Sequence, residues 1–176
     1  RRRHHAIDPP EPYPRATPDL HVGLADLDRE LGDLTAAQSH LETAQTLAQR
    51  ASISENRYRW FVVMAHVRAD QGDCEAALDL LAEAEARYRH GFYPDIRPIP
   101  AIRARMHIAQ GDLAPAEQWA HASGLPSGDE PAYLREYDNL TYLRLLLARH
   151  ARMPADPAPL GEALALLDRL ESDAEP

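Results

Sequence analysis

The sequence predicts an all-α fold, a right-handed α-α superhelix of stacked helical hairpins, and three observations predict it. A Gly-Asp pair recurs at intervals of 40 and 39 residues, in Gly32-Asp33-Leu34-Thr35-Ala36-Ala37, Gly72-Asp73-Cys74-Glu75-Ala76-Ala77 and Gly111-Asp112-Leu113-Ala114-Pro115-Ala116. Small residues follow each glycine at two fixed offsets, first Ala37, Ala77 and Ala116, then Ala44, Ala84 and Ser123. An amphipathic run precedes each glycine, and self-similarity at such a period marks a helical-repeat architecture.

Taken in order, the runs Leu20–Leu31, Tyr58–Gln71 and Ile99–Gln110 are the first helices of three clear hairpins. Glycine ends each helix because it enters the left-handed region without a Cβ penalty, and the following aspartate caps the second helix. The small residues are expected on the face turned to the first helix, where they let two helix axes approach. A degenerate fourth pair follows, with apolar residues at helical spacing in Tyr133–Arg149 and a partner helix over Leu160–Glu171. Its connection, Met153–Pro159, carries three prolines instead of the glycine turn, as suits an atypical terminal repeat. The hairpins are placed at about 19–51, 57–88, 98–123 and 132–171, within one repeat domain spanning 19–172. Pro9, Pro10, Pro12, Pro14 and Pro18 make residues 1–18 an extended arm or linker remnant. The loop Arg89–Pro98, with Phe92, Tyr93 and Arg97, is expected to pack across the next hairpin.

Composition narrows the chemistry. The formal charge of −9 does not suit a surface that must displace counterions from nucleic acid. All 19 basic residues are arginine, so neither a Walker-type phosphate loop nor Schiff-base chemistry is available to this segment. The single cysteine, Cys74, has no disulfide partner and stands where the other repeats place Leu34 and Leu113, so a buried structural thiol is expected there. The nine histidines lie outside any metal-ligand spacing, and no nucleophile motif anchors a catalytic reading, so neither metal, cofactor nor enzymatic activity is expected. No apolar stretch reaches membrane-spanning length and no export signal is read, which makes the cytoplasm the expected compartment.

The segments Leu20-His21-Val22-Gly23-Leu24-Ala25, Tyr58-Arg59-Trp60 with Met64-Ala65 and Gln71-Gly72-Asp73, and Arg97-Pro98 leading to Ala109-Gln110-Gly111-Asp112-Leu113, resemble the tetratricopeptide (TPR) region of MalT-like, LuxR-type bacterial transcriptional regulators. The resemblance covers roughly residues 19–150. It implies TPR-like hairpins acting as sensor and as part of an inhibitory machinery. A nucleotide-binding switch domain would precede such repeats and a helix-turn-helix would follow, so DNA binding and ATP hydrolysis would reside outside them. The alternative is a free-standing TPR scaffold joining other proteins; a Gly-x-x-x-x-Gly-Lys-Ser/Thr segment upstream and a helix-turn-helix downstream would separate the two.

In such a stack the first helices line the concave face, and equivalent positions form a ladder along it. Six residues before each glycine stand Asp26, His66 and Arg105, with Arg144 if His150 replaces the fourth glycine; seven residues further back stand Asp19, Arg59, Pro98 and Tyr137. Arg59, His66, Arg105, Tyr137 and Arg144 are therefore expected to form a groove for a small effector or protein partner, binding a carboxylate, phosphate or acidic peptide end. The bland alternative pairs these arginines with Glu136, Asp70 and other acids. Charge reversal at Arg105 is expected to weaken binding with little effect on stability. The aromatic residues Tyr58, Trp60, Phe61, Tyr88, Phe92 and Tyr93 are expected to pack between the second and third hairpins. A homo-oligomer is compatible with all of this.

Overall fold

In the computed structural model, which describes residues 17–50, 57–88, 95–125 and 133–174, the glycine-aspartate pairs close the turns between helices. Among the described residues there are eight α-helices: α1 Thr17–Glu30, α2 Leu34–Arg50, α3 Arg57–Asp70, α4 Cys74–Arg87, α5 Ile99–Gln110, α6 Leu113–Ala122, α7 Glu136–Arg152 and α8 Ala158–Ala174. A 3-10 turn, Tyr133–Arg135, leads into α7, and there is no strand among the described residues. Pro18 falls in the first turn of α1, where its missing N–H costs nothing. The helices pack as antiparallel neighbours α1/α2, α3/α4, α5/α6 and α7/α8, and each hairpin then rests on the next, as in a TPR-like helical-repeat superhelix.

The turns repeat in atomic detail. Gly32, Gly72 and Gly111 have φ of 84°, 85° and 75°, the left-handed conformation that a Cβ would oppose. In each, the aspartate N–H donates back to the sixth residue in the bonded loop, Asp33 to the Asp28 carbonyl, Asp73 to Arg68 and Asp112 to His107, at 2.9, 2.9 and 3.0 Å. The glycine N–H closes the inner bond of the same helix-ending motif. Asp33 and Asp73 also accept, through a carboxylate oxygen, from the N–H of Ala36 and Ala76. Asp112 does not cap α6, contrary to expectation: the equivalent position is Pro115, which has no N–H to donate. Its carboxylate lies 3.5 Å from His107 Nδ1 instead.

The small residues lie in the core as expected. Ala37, Ala77 and Ala116 are fully buried, with Ala44 and Ala84 beside them one helical rank later, while Ser123 is half-buried at the end of α6. Three clusters follow one another along the stack. Val22, Ala25, Leu41 and Ala44 meet Val63, Met64 and Val67; Ala65, Leu81 and Ala84 meet Ile99, Ile102 and Met106; Ala104, Leu113 and Ala120 meet Tyr142, Leu145, Leu146 and Leu166. Each cluster is shared by neighbouring hairpins, which is the quasi-linear packing of a repeat protein.

Two sequence expectations need correction. Trp60 seals the first hairpin to the second, its Nε1 donating to the Leu41 carbonyl at 2.8 Å, whereas Tyr58, Phe61 and Tyr88 pack in the cluster shared with the third. Phe92 and Tyr93, with the rest of residues 89–94 in the expected loop Arg89–Pro98 and residues 1–16 of the arm, lie outside the described residues. Cys74 is only half-buried, because the first position of α4 faces a groove. The corresponding Leu113 is buried against α7 and α8 in the C-terminal cluster.

Candidate functional site

The first helix of every hairpin contributes to one groove, since repeats stacked in register present equivalent faces side by side. It has a volume of about 720 Å³, and its wall runs from Arg29 and Glu30 on α1, through His66 and Asp70 on α3, to Arg105 and Met106 on α5 and Tyr137, Leu140 and Arg144 on α7. Of the five residues of the expected ladder, the structure brings His66, Arg105, Tyr137 and Arg144 together here. Arg59 is exposed near the start of α3 and does not line the groove.

At the α5–α7 end the groove is basic. Arg97, Arg105 and Arg144 face a single lining carboxylate, Glu136, in that half. Arg105 is held in three ways: Nε donates to Thr141 Oγ1 at 2.7 Å, Nη2 donates to the Tyr137 carbonyl at 3.3 Å, and the guanidinium stacks over the Tyr137 ring at 3.6 Å. Burial lowers the Arg105 guanidinium from its ordinary value, and the nearby Arg144 and Arg97 act in the same direction against the opposing Tyr137. It remains charged at any physiological pH. Burial raises the Tyr137 phenol, although the three guanidiniums oppose that. Arg97 and Arg144 are exposed in the groove wall and have no ion-pair partner among the described residues.

The α1–α3 end is organised by acids. Arg29 bridges Asp26 on its own helix at 3.1 Å and Asp70 on α3 at 3.2 Å, with Glu30 also against it. Burial pulls the Arg29 guanidinium down, but its bonds to Asp70 and Asp26 outweigh this and its pKa is raised. His66 sits beside this cluster with its pKa lowered, first by burial and then by Arg29. Between the two ends Ile96, Met106, Leu140, Ala69 and Ala109 supply an apolar stretch.

Arg29, Glu30 and Asp70 lie one helical turn beyond the ladder chosen from the sequence, so stepping four residues along the same face from Asp26 and His66 finds Glu30 and Asp70. Arg97 precedes α5, and its counterpart one repeat earlier is Tyr58, so no recurring charge marks the position. A second, smaller groove of about 610 Å³ opens between α6, α7 and α8, where the Tyr142 hydroxyl donates to Glu162 among His121, Arg149 and Arg169. Burial and the Glu162 carboxylate both push the Tyr142 phenol up.

Among the described residues no group of three or more His, Cys, Asp and Glu is arranged to hold a metal ion, and no helix is long and apolar enough to cross a membrane. Compared with known families, the chain matches the model described as the MalT-like TPR region over residues 4–176. No curated protein and no solved structure matches it significantly.

Proposed function

Because the chain belongs to the MalT-like TPR family, we propose that it is the sensor and interaction domain of a MalT-like, LuxR-type transcriptional regulator, acting in the cytoplasm and binding a small effector or protein partner on the face built by α1, α3, α5 and α7. Helical repeats of this type are in general non-catalytic interaction domains, and the domain would signal by changing what it holds rather than by chemistry of its own.

The observation that carries this reading is the unequal arming of the groove. Two guanidiniums, those of Arg97 and Arg144, are exposed at one end, while Arg105 is already committed to Thr141 and Tyr137 behind them. Open guanidinium forks match a carboxylate or phosphate with two parallel bonds. The neighbouring Ile96 and Leu140 give an apolar segment of the ligand somewhere to lie. The groove thus suits an anionic group carried on a partly apolar body, either a metabolite or an acidic peptide end.

The test is ligand-shift thermal melting against anionic metabolites and short acidic peptides, repeated with Arg97→Glu and Arg144→Glu. A ligand that prefers the folded state raises the melting temperature in proportion to its occupancy. The reading requires an anionic compound that stabilises the wild-type domain and loses its effect in both variants. Stabilisation that survives both reversals would place binding elsewhere.

A further inference from the structure

The central groove carries opposite charge at its two ends, and the pairs already made within the fold do not cancel either excess. At the α5–α7 end the described residues place Arg97, Arg105 and Arg144 in the wall with a single carboxylate, Glu136. At the α1–α3 end the balance reverses. Glu30 and Asp70 line the wall beside Arg29, and Asp26 stands behind it.

Arg29 fixes these acids without satisfying them. Its guanidinium donates to Asp26 at 3.1 Å, to Asp70 at 3.2 Å and to Glu30, so one cation is shared by three carboxylates. Glu30 and Asp70 each commit one oxygen to it, Oε1 and Oδ2, and the second oxygen of each has no partner among the described residues. Both side chains are well exposed, at 65% and 44%. His66 beside them has its pKa lowered by burial and then by Arg29, so it adds no positive charge at neutral pH. Two hairpins thus hold two half-used carboxylates side by side, opposite the arginine end.

Building on the anion-binding reading of this same groove, we infer that its ligand is dipolar: an ammonium seats between Glu30 and Asp70, a carboxylate on Arg97 and Arg144, and an apolar chain lies between them over Ile96 and Leu140. An ammonium brings three donors to the two free carboxylate oxygens. The opposite orientation would set like charges together at both ends, so the ligand binds one way round. Packed helix axes stand about 8–10 Å apart, and two such spacings from the α1–α3 pair to the α5–α7 pair separate the charged ends by roughly 16–20 Å. That length corresponds to about five or six residues of extended peptide. A single α-amino acid is too short to reach both ends. A short unblocked peptide and a long ω-amino carboxylic acid share the required chemistry.

Isothermal titration calorimetry on the whole chain tests the inference with two probe series. One is a hexapeptide of alanine and leucine with free ends, its N-acetylated form and its C-amidated form; the other is an ω-amino fatty acid of matched length beside the plain fatty acid. Removing the ammonium, in either series, is expected to weaken binding by about tenfold, the worth of a charge-assisted hydrogen bond. Glu30→Gln and Asp70→Asn should each weaken the ammonium-bearing probe by a similar factor and spare the acetylated one, a selectivity that a general loss of fold cannot produce. The series that binds more tightly identifies the source of the ligand. If the acetylated and free-ended peptides bind equally, or Glu30→Gln weakens both alike, the dipolar inference falls and the anion-binding reading stands. Binding that survives C-amidation or the Arg97→Glu and Arg144→Glu variants, or a chain that binds none of the probes, overturns that reading and this inference with it.

Discussion

The Arg105 guanidinium lies 3.6 Å from the centroid of the Tyr137 ring, joining α5 to α7 across the floor of the groove. The same side chain satisfies the hydroxyl of Thr141, which is completely buried, so Arg105 holds two hairpins together as well as contributing charge. This changes the expectation that Arg105 can be reversed without cost. Replacing it with alanine is expected to destabilise the domain by about 1–2 kcal/mol, from the lost stacking and two lost hydrogen bonds, while the Thr141 hydroxyl keeps its bond to the Tyr137 carbonyl. Arg144→Ala, at an exposed site in the same groove, should stay within about 0.5 kcal/mol of wild type. Urea unfolding of the two variants separates structural from ligand-facing arginines.

The capping difference between repeats gives a second expected outcome. Asp73→Ala removes a side-chain bond to the Ala76 N–H and should cost about 1 kcal/mol, the usual worth of a helix N-cap. Asp112→Ala should cost clearly less, because Pro115 leaves that carboxylate no backbone donor to satisfy. Chemical denaturation midpoints measured side by side would show the ranking, and equal losses would contradict it.

Glycine substitutions should change sign with position. Gly72 has φ of 85°, so an alanine there is strained although no atom stands within 4 Å of its Cβ, and a loss of about 1–2 kcal/mol is expected. Gly23 lies inside α1 with open space around the Cβ position, and alanine there should stabilise by roughly 0.5–1 kcal/mol through helix propensity. Thermal melting of both variants tests the contrast.

His66 makes stability depend on pH in a stated direction. Its folded-state pKa is lowered, chiefly by burial, so the native state resists a proton that the unfolded chain takes up near the ordinary value of 6.5. The penalty is absent above that value and grows as pH falls below it, until the folded-state histidine itself protonates. A His66→Gln variant lacks the penalty and should gain on wild type between pH 7.5 and about 5.5 in paired melts, where carboxylates are still largely ionised. A constant difference across that window would remove His66 as the cause.

His66, Arg105, Tyr137 and Arg144 stand at equal offsets from the turns and line one groove, because a repeat that stacks in register brings equal offsets to one face. Arg59 failed the same count: near the start of α3 it is exposed away from the groove, so one periodic position does not guarantee a shared wall along a whole helix. Trp60 faces the first hairpin and not the third, because a side chain on the first helix of a hairpin can face backward or forward along the stack, and spacing within one helix does not distinguish them.

The sequence by itself determined the succession of hairpins, since a left-handed glycine, a following aspartate and a pair of small residues are local or near-local requirements that any chain must meet in order to turn and close-pack. Only the tertiary structure decided which charges are spent and which remain open. The partners that bind Arg105 lie 32 and 36 residues away, and those of Arg29 divide between its own helix and α3, so their availability depends on how neighbouring hairpins cross. Hydrogen-bonded pairing needs donor and acceptor at contact distance and in the right orientation, and no periodicity in the chain records geometry that fine.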